Sequence, residues 1–423
     1  MSVYSFSTHA AQMENPNEGG LRIQVTSTFG LIPIPNATVT IYYETVPDAP
    51  IQQLTTDSSG QTPVIELPAP PIAYSLEPGS PRPYSEYTIR VSAPGYETVV
   101  VSGSEILPEV TSIQAIQLPP LEVSNGAEED INIGPHTLYY DYPPKIPEAE
   151  IKPMDETGEI VLSRVVIPEY VIVHDGNPED SGAPNYYVRY KDYIKNVASC
   201  EIYATWPESA IYANILAIMS FTLNRVFTEW YRNKGYNFTI TSSTAYDQKW
   251  IYGRNIFSNI DYLVDTVFAN YLSRPGVRQP ILAAYCDGKR VTCDGLSQWG
   301  SKYLGDEGYS AIEIIRYYFG NDMYINTATQ ISGVPSSWPG YNLTIGSTGE
   351  KVRQLQQQLN RIAENYPAIP TIAVDGIFGP NTANAVRTFQ SIFNIPSTGV
   401  VDYPTWYEVS NIYVGVSRIA EPG

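Results

Sequence analysis

The chain has 423 residues, of which 43% are hydrophobic, and a formal net charge of −19. This length is too great for one ordinary core and predicts two or three domains. The acidic excess argues against nucleic acid or an anionic membrane surface as a partner. The three cysteines are too few for a disulfide scaffold. Residues 1–17 lack the basic and apolar regions of a secretory signal, and no run approaches the roughly 18 apolar residues of a membrane span.

Residues 1–120 have the pattern of an all-β domain. Apolar residues alternate at 21–25 and 87–91, and turn residues interrupt the pattern at 57–60. The segments PIPNATVTIYY, TTDSSGQT and YTIRVSAPGYETVVV resemble the carboxypeptidase regulatory-like β-sandwich. The resemblance implies a small sandwich with no chemistry of its own, which we interpret as a pro-region.

A proline-rich segment, residues 121–164, follows the predicted sandwich. Seven prolines lie between Pro119 and Pro153, together with the acidic run at 128–130. Such a composition is poor in core residues and typical of an extended connection. We therefore predict a linker that is accessible to proteases.

Residues 165–335 predict a mixed α+β domain. Alternating apolar residues at 166–173 and 186–190 indicate strands. The apolar spacing at 260–271 indicates an amphipathic helix. A longer helix is predicted to follow Thr205 and run to Arg225, where small residues recur at helical spacing and allow another element to pack closely.

Glu201 stands just ahead of this long helix, in the run VASCEIYATWPESAIYANILAIMSFTLNR. Thr205 and Glu208 have the spacing of a capping box, with Pro207 in the first helical turn. A carboxylate held on a loop against a rigid helix suits general acid work, because geometry and partial burial raise its pKa. The alternative from spacing alone is a carboxylate that only caps the helix or forms a salt bridge.

The residues that follow Glu201 resemble the signature of the stage II sporulation protein D family; the matching residues are Glu201, Ala204, Thr205, Trp206, Ala210, Ala213, Asn214 and Ala217. That family includes peptidoglycan lytic transglycosylases, in which the Glu is the essential acid, and non-catalytic relatives that assist other lysins. The resemblance implies that Glu201 is the catalytic residue. A hydrolase needs a second carboxylate at a defined separation. Asp247 is the candidate for it, although a turn role is more frequent in such a loop.

Two further segments resemble parts of the same family. Gln248, Tyr252 and Gly253 are similar to its Gln-x-Tyr-x-Gly segment with a longer spacing, and residues 295–300 are similar to its Gly-Met-Ser-Gln-Trp-Gly segment. A Ser-Gln pair beside an aromatic ring can hydrogen-bond to a sugar and stack on it. The alternative for 295–300 is a helix start, with its serine as the cap and its tryptophan in the core. The predicted substrate-binding residues are Trp206, Gln248, Tyr252, Ser297, Gln298 and Trp299.

The sequence departs from that family where many members carry histidines, since residues 286–288 and 292–294 read CDG and TCD. Three thiols without a nearby histidine, Cys200, Cys286 and Cys293, are a weak metal signal. We predict a local disulfide or free thiols in this region. No metal and no cofactor are predicted.

Residues 340–415 contain an internal repeat. Residues 376–386 match residues 399–409, with Gly, Thr and Val at identical offsets. The patterns GSTGEKVRQLQQQL, DGIFGPNTANAVRTFQ and TGVVDYPTW resemble the common peptidoglycan-binding domain. The repeat and the resemblance predict a small all-α bundle that binds peptidoglycan glycan strands.

The order of these domains resembles that of the clostridial spore cortex-lytic enzymes. The resemblance implies glycan cleavage by a zymogen, a protease that cuts it between Leu121 and Arg164, and storage in the cortex or coat region of the spore without a signal peptide. The alternative is a non-catalytic peptidoglycan-binding protein of a spore layer or a phage-tail-like device, carried by the particle or released by lysis. The intact motif at Glu201 favours the enzyme, and the altered cysteine segment favours the alternative.

Overall fold

The computed structural model of the chain describes residues 17–28, 31–46, 49–121, 128–152, 164–328, 330–332 and 339–417. These residues form two compact units. The first unit holds the described residues before Gly30, together with Pro33–Gly134 and Tyr252–Ser258. The second unit holds Pro135–Ile251, the described residues after Ser258 and the short stretch 31–32.

Strands and helices are numbered along the described residues. The strands are β1 (Asn17–Ser27), β2 (Thr38–Tyr43), β3 (Pro50–Thr55), β4 (Ile65–Ala69), β5 (Ser85–Ser92), β6 (Val99–Ile106), β7 (Thr111–Leu118), β8 (Glu129–Asn132), β9 (Val166–Ile167), β10 (Tyr170–His174), β11 (Asn185–Arg189), β12 (Ile240–Thr241), β13 (Ile256–Phe257), β14 (Asn270–Ser273), β15 (Tyr285–Cys286), β16 (Leu296–Ser297), β17 (Tyr324–Thr327) and β18 (Gln330–Ile331). The helices are α1 (Tyr190–Glu201), α2 (Glu208–Phe227), α3 (Ser258–Val267), α4 (Gln298–Asp306), α5 (Ala311–Phe319), α6 (Glu350–Ala363), α7 (Pro380–Ile392) and α8 (Tyr403–Ser417).

The first unit consists of two β-sheets. One has the strand order β3-β2-β5-β6-β8 and the other the order β13-β7-β1-β4. Leu21, Ile23 and Val25 of β1 are fully buried, as are Val39 and Ile41 of β2. This alternation puts one side of each strand into the core. The sheets meet through β6, which contacts β1, β4 and β7 of the other sheet.

Two strands of the first unit come from outside residues 1–120. β8 lies in the predicted linker and pairs in parallel with β6. β13 lies beyond Glu201 in the sequence and pairs antiparallel with β7. Beside it, the Asn255 side chain accepts from Glu105 N at 3.0 Å and donates to Glu105 O at 2.8 Å. The Arg254 guanidinium forms a buried ion pair with the Glu105 carboxylate, so Tyr252–Ser258 is built into this unit.

The second unit is organised around α2, which contacts α1, α4, α5 and β14. Its small residues Ala210, Ala213 and Ala217 are fully buried and let these neighbours approach closely. The Ser220 hydroxyl accepts a hydrogen bond from Leu272 N at 2.8 Å. Among the helices described, only α2 is long enough and apolar enough to cross a membrane. However, 89% of its most apolar stretch is buried inside the protein. That degree of burial is typical of a core helix.

Two local expectations around Glu201 are corrected. Glu201 is the last residue of α1 and is not on a loop. α2 begins at Glu208 with Pro207 as its N-cap residue, whose ψ of 138° is extended and whose side chain makes no capping hydrogen bond. The capping box expected for Thr205 and Glu208 is therefore not formed, because the helix starts two residues later than that motif requires.

The three C-terminal helices hold their two repeats in the same way. Gln356 accepts from Gly376 N at 2.8 Å and donates at 3.0 Å to the carbonyl of the residue after that glycine. Gln390 accepts from Gly399 N at 2.8 Å and donates at 2.9 Å to the corresponding carbonyl. One buried glutamine therefore fixes the turn in each repeat.

A buried charge cluster attaches α8 to the rest of the second unit. Lys191 of α1 forms ion pairs with Asp265 at 3.0 Å and with Glu408 of α8. Lys195 forms ion pairs with Asp261 at 2.6 Å and with Asp265 at 2.9 Å. Burial opposes the charge of Lys195, but the neighbouring carboxylates hold its pKa well above the usual value. Paired charges therefore join α8 to α1 and α1 to α3.

Candidate active site

Glu201 has a fixed position because the end of α1 is held from two directions. Most of α1 is buried, and Glu201 itself is 3% exposed. Gln298 Nε2 donates to Glu201 O at 3.0 Å. Thr137 donates its N–H and its hydroxyl to Cys200 O at 3.0 and 3.1 Å. These donors satisfy carbonyls that have no partner within the helix.

One carboxylate oxygen of Glu201 has a fixed partner. The backbone N–H of Lys249 donates to Oε1 at 2.7 Å. The loop that carries this N–H is anchored to α1, because Asn196 donates to Ile251 O at 2.8 Å and accepts from Ile251 N at 3.0 Å. Gln248, in the same loop, donates to a carbonyl of α2 at 3.1 Å. The donor is therefore positioned by the fold.

The other carboxylate oxygen, Oε2, is buried and has no hydrogen-bond partner among the described residues. The Tyr285 hydroxyl is also buried without a well-aligned partner there, and it lies close enough to influence the carboxyl. Burial raises the pKa of Glu201, and Lys145, the Lys249 N–H and Tyr285 offset part of that rise. A carboxyl with a raised pKa keeps its proton closer to neutral pH, as a general acid requires.

Glu201 lines an open cavity of about 260 Å³. Beside it the wall includes Tyr285 and Gln298. Charged and aromatic side chains complete the lining, namely Tyr140, Asp141, Tyr142, Lys145, Asp287 and Arg290. An open cavity that combines aromatic rings with a few charged groups is the usual form of a ligand site.

One wall of the cavity is made by Pro135–Lys152, which we call the strap. Its composition predicts an accessible linker, but the structure packs it into the second unit. His136 is fully buried, and its Nε2 lies 3.3 Å from Ile202 O. Ile146 N donates to Ala245 O at 2.7 Å. These partners are remote in sequence, so local composition carries no signal of them.

Two ion pairs anchor the strap. The Arg225 side chain, which is fully buried, donates to both carboxylate oxygens of Glu148 at 3.0 and 2.5 Å. The Arg274 guanidinium donates to both oxygens of Glu150 at 2.8 Å. Bidentate pairs of this kind fix orientation as well as position.

A disulfide between Cys286 and Cys293 closes a loop at the cavity. The Asp287 carboxylate accepts from backbone N–H groups of this loop and from the Arg290 guanidinium. Burial opposes the charge of Asp287, but these donors hold its pKa below the usual value. Arg290 also donates to Thr137 O at 2.8 Å. The disulfide loop is therefore tied to the strap.

Of the predicted substrate-binding residues, Gln298 donates a hydrogen bond to Glu201 O, and Ser297 precedes it in the chain. Gln298 lines the cavity. Ser297 is the N-cap residue of α4, and its hydroxyl accepts from Gly300 N at 3.0 Å, which is the helix-start role considered as the alternative. Sugar contact by Ser297 and Gln298 stays a prediction.

The other four predicted substrate-binding residues are placed elsewhere. The rings of Trp206 and Trp299 are 5.0 Å apart in the core, and they are 4% and 2% exposed. Gln248 is fully buried, and Tyr252 belongs to the first unit. As far as the structure describes the chain, none of the four lines the cavity. Trp206, Trp299 and Gln248 pack in the core, whereas Tyr252 is 42% exposed. Sugar contact by these four residues stays a prediction.

Asp247 is a structural anchor and not the turn residue that was expected. Its carboxylate is fully buried and accepts from Arg225 Nε at 2.7 Å and from the Tyr231 hydroxyl at 2.7 Å. Thr241 donates its N–H at 2.8 Å and its hydroxyl at 2.7 Å to the same carboxylate. With both oxygens occupied, Asp247 is unsuited to activating a water molecule.

No group of three or more His, Cys, Asp or Glu side chains within the described ranges is arranged to hold a metal ion. Cys200 is buried outside any disulfide, and its thiol donates to Asn196 Oδ1 at 3.6 Å. Sequence reasoning missed Lys145, Tyr285 and Arg290 as cavity residues. The run LYYDYPPK at 138–145 contained a signal, since clustered tyrosines beside a lysine are unusual in a solvent-exposed linker.

Residues 348–408 match the family described as "Putative peptidoglycan binding domain". The chain is similar to a zinc D-Ala-D-Ala carboxypeptidase of Streptomyces albus G, with 40% identity over 74 residues. The aligned residues are 17% of this chain and 27% of that protein, so this chain spans about a quarter of the length of that relative. The SleB N-terminal domain is 30% identical, over 18% of this chain and 99% of that chain, with a TM-score of 0.16. The TIE protein of Bacillus anthracis is 21% identical, over 25% of this chain and 17% of that chain, with a TM-score of 0.17.

The chain therefore contains a peptidoglycan-binding domain, and the predicted resemblance of its C-terminal segment to that family is confirmed. The presence of this domain supports peptidoglycan as a binding partner of the chain. The matched residues include α6, α7 and the beginning of α8, which belong to the same compact unit as Glu201.

Proposed function

We propose that the chain cleaves the glycan strands of peptidoglycan as a lytic transglycosylase, with Glu201 as the single catalytic acid. The observation that carries the proposal is the state of the Glu201 carboxyl. It is 3% exposed, its pKa is raised by burial, one oxygen accepts from Lys249 N, and the residue lines an open cavity. The peptidoglycan-binding domain in the same unit supports the choice of substrate.

In the proposed reaction, protonated Glu201 gives its proton to the glycosidic oxygen while the bond from that oxygen to C1 breaks. The resulting carboxylate accepts the proton of the muramyl 6-hydroxyl while O6 bonds to the same C1. The products are a 1,6-anhydro end and a free hydroxyl, and no water is consumed. The Lys249 N–H, which donates to Oε1 at 2.7 Å, stabilises the carboxylate between the two steps.

Of the other carboxylates near Glu201, Asp287 and Asp247 support a mechanism with one acid. Asp287 is held as an anion by its loop and by Arg290. Asp247 is fully used by Arg225, Tyr231 and Thr241. A hydrolase would need a carboxylate that is free to activate water. Among these three, that leaves Asp141, whose side chain is 93% exposed and pairs with Arg290 at 3.3 Å.

We also propose that the chain is a zymogen stored in the cortex or coat region of a spore. The segment Tyr252–Ser258 begins shortly after Lys249, the donor to Glu201, and is built into the first unit. Loss of the first unit would release this segment. Because the strap belongs to the second unit, we place the activating cut between Leu121 and Pro135.

Glu201→Gln tests the acid assignment, because it removes the proton donor and keeps the side-chain volume. Cleavage of purified cortex peptidoglycan, followed by mass spectrometry of anhydro-muropeptides, is expected to fall at least about a hundredfold. Binding to sacculi is expected to stay unchanged. Glu208→Gln is the matched control, since Glu208 lies in the same stretch and is exposed.

The outcomes separate the competing functions. Near-normal cleavage by Glu201→Gln would contradict the acid assignment. Reducing ends in place of anhydro ends would indicate a hydrolase. If neither the intact nor the proteolysed wild-type chain cleaves peptidoglycan that it binds, the protein is a non-catalytic wall-binding component of a spore layer or a phage-tail-like device.

A further inference from the structure

Lys145 is a partly buried lysine of the strap that lines the same cavity as Glu201. Its ammonium donates to the backbone carbonyls of Asp247 and Thr244, the latter at 3.4 Å. It also lies 5.0 Å from the ring centroids of Phe221 and Tyr285. The two carbonyl oxygens that accept hydrogen bonds from this ammonium are neutral groups. Burial lowers the pKa of Lys145, and among the neighbouring charges Glu201 has the largest opposing effect.

The charged side chains that share the cavity with Glu201 are Asp141, Lys145, Asp287 and Arg290. Among titratable groups, the largest influences on the Glu201 carboxyl come from Lys145 of the strap, Tyr285 of β15 and Lys249 of the adjoining loop. Tyr193 of α1 is influenced by Glu201 in turn. Lys145 has the largest effect among the charges, ahead of Lys249.

We propose that Lys145 is a positioning residue for Glu201, and that its ammonium stabilises the carboxylate which Glu201 becomes after it has given up its proton. The inference rests on the proposed function. Lys145 transfers no proton itself. The strap and the two carbonyls hold the charge in place, so it is present before the reaction and needs no reorganisation during it.

The position of Lys145 also determines which residues an active proteolytic fragment must contain. The residue lies in the strap, before Val165, where sequence patterns start the catalytic domain. An activated fragment must therefore retain Pro135–Lys152. A cut after Lys145 would remove both the cation and one wall of the cavity.

The test is the titration of the Glu201 carboxyl in the full chain, measured as the infrared difference between each variant and the same variant with Glu201→Gln. Lys145→Met and Lys145→Gln remove the charge, and the glutamine retains a donor for the carbonyls. Both are expected to raise the midpoint by roughly one to three pH units. Lys145→Arg keeps the charge and is expected to stay near the wild-type midpoint.

Glu150→Gln is the matched control, since it weakens the pair with Arg274 that anchors the strap but keeps Lys145. It is expected to leave the midpoint unchanged. A wild-type midpoint in both neutral variants would overturn the proposal. Failure of both to fold, judged by circular dichroism, would overturn it in favour of an anchoring role.

The titration requires no glycan cleavage, so it separates this inference from the proposed function. If the neutral Lys145 variants shift the Glu201 midpoint but the chain cleaves no peptidoglycan, the positioning role of Lys145 stands and the proposed enzymatic function is contradicted. If the chain does cleave, the neutral variants are also expected to move the loss of kcat/KM at high pH to higher pH. The reason is that the acid must be protonated and its pKa has risen.

Discussion

Glu148→Gln tests whether the strap is part of the core of the second unit. The substitution keeps the size of the side chain and removes its charge. Arg225, whose side chain is fully buried, then loses its bidentate partner at 3.0 and 2.5 Å. Lys152, paired with Glu148 at 2.5 Å, loses the same carboxylate.

The expected loss in the free energy of unfolding is about 2 kcal/mol. Arg225 keeps Asp247 at 2.7 Å, so the roughly 3–5 kcal/mol for leaving a buried charge without a partner is not reached. What is lost is a charge-assisted hydrogen-bonded pair, which contributes about 1.5–3 kcal/mol. Because Glu148 is partly exposed, with its side chain at 17%, we take the lower part of that range.

The effect has a defined pH dependence. Burial alone would raise the pKa of Glu148, but Arg225 and Lys152 hold it below the usual value of 4.5. A group whose pKa is lower in the folded state contributes stability above its unfolded pKa, and this contribution is lost as the pH falls through the folded pKa. The difference between wild type and Glu148→Gln is therefore expected at pH 7 and to shrink below about pH 4.5.

Differential scanning calorimetry measures this loss. A cost of about 2 kcal/mol lowers the midpoint of the second unit by roughly 4–8 °C. Glu350→Gln is the control, because Glu350 is 89% exposed in its pair with Arg353, and such a pair contributes about 0–1 kcal/mol. An unchanged midpoint for Glu148→Gln at pH 7 would refute the assignment of the strap to the core.

Two further predictions concern the domains. Residues 339–417 alone are expected to sediment with peptidoglycan sacculi, because the family match lies within them; sedimentation no better than that of an unrelated control protein would leave the domain a structural role. A cut between Leu121 and Pro135 is expected to start cortex clearing, whereas a chain that begins at Val165 lacks the strap and is expected to be inactive. If the uncut chain clears cortex as fast as the cut one, the first unit is a targeting or display module.

The parts of the fold that follow from the sequence are those with a strong local period. The alternation at 21–25 becomes β1, and the repeat at 376–386 and 399–409 appears as two equivalent turns with their helices. α1 was missed although Tyr190, Tyr193, Ile194 and Val197 have helical spacing and are buried. Tyr186 and Tyr187 belong to the preceding strand. Because both elements are rich in tyrosine, the sequence pattern does not separate the helix from the strand.

The candidate site was harder to predict because its geometry depends on contacts that are remote in sequence. The identity of Glu201 came from its motif, but its partner is the N–H of Lys249. A backbone donor has no side-chain signature. Trp206 and Trp299 carry the opposite lesson, since an aromatic residue in a motif suits a sugar face and a core equally well, and only burial separates the two roles.

Release of the first unit after the activating cut depends on contacts that the cut itself does not break. The chain passes from the first unit to the second at Gly134–Pro135, and it returns to the first unit for Tyr252–Ser258. A cut before Pro135 breaks one covalent connection, but it leaves β13 paired with β7. It also leaves the Arg254–Glu105 ion pair, whose side chains are 0% and 1% exposed.

Separation of the cut first unit must break that buried pair, which costs roughly 3–5 kcal/mol when one partner is lost. The exposure of Phe257, which is fully buried, adds about 1.5–3 kcal/mol. These interactions keep Tyr252–Ser258 bound to the rest of the first unit after proteolysis. Cutting and activation are therefore separate steps, and dissociation of the Tyr252–Ser258 segment from β7 sets how fast the second follows the first.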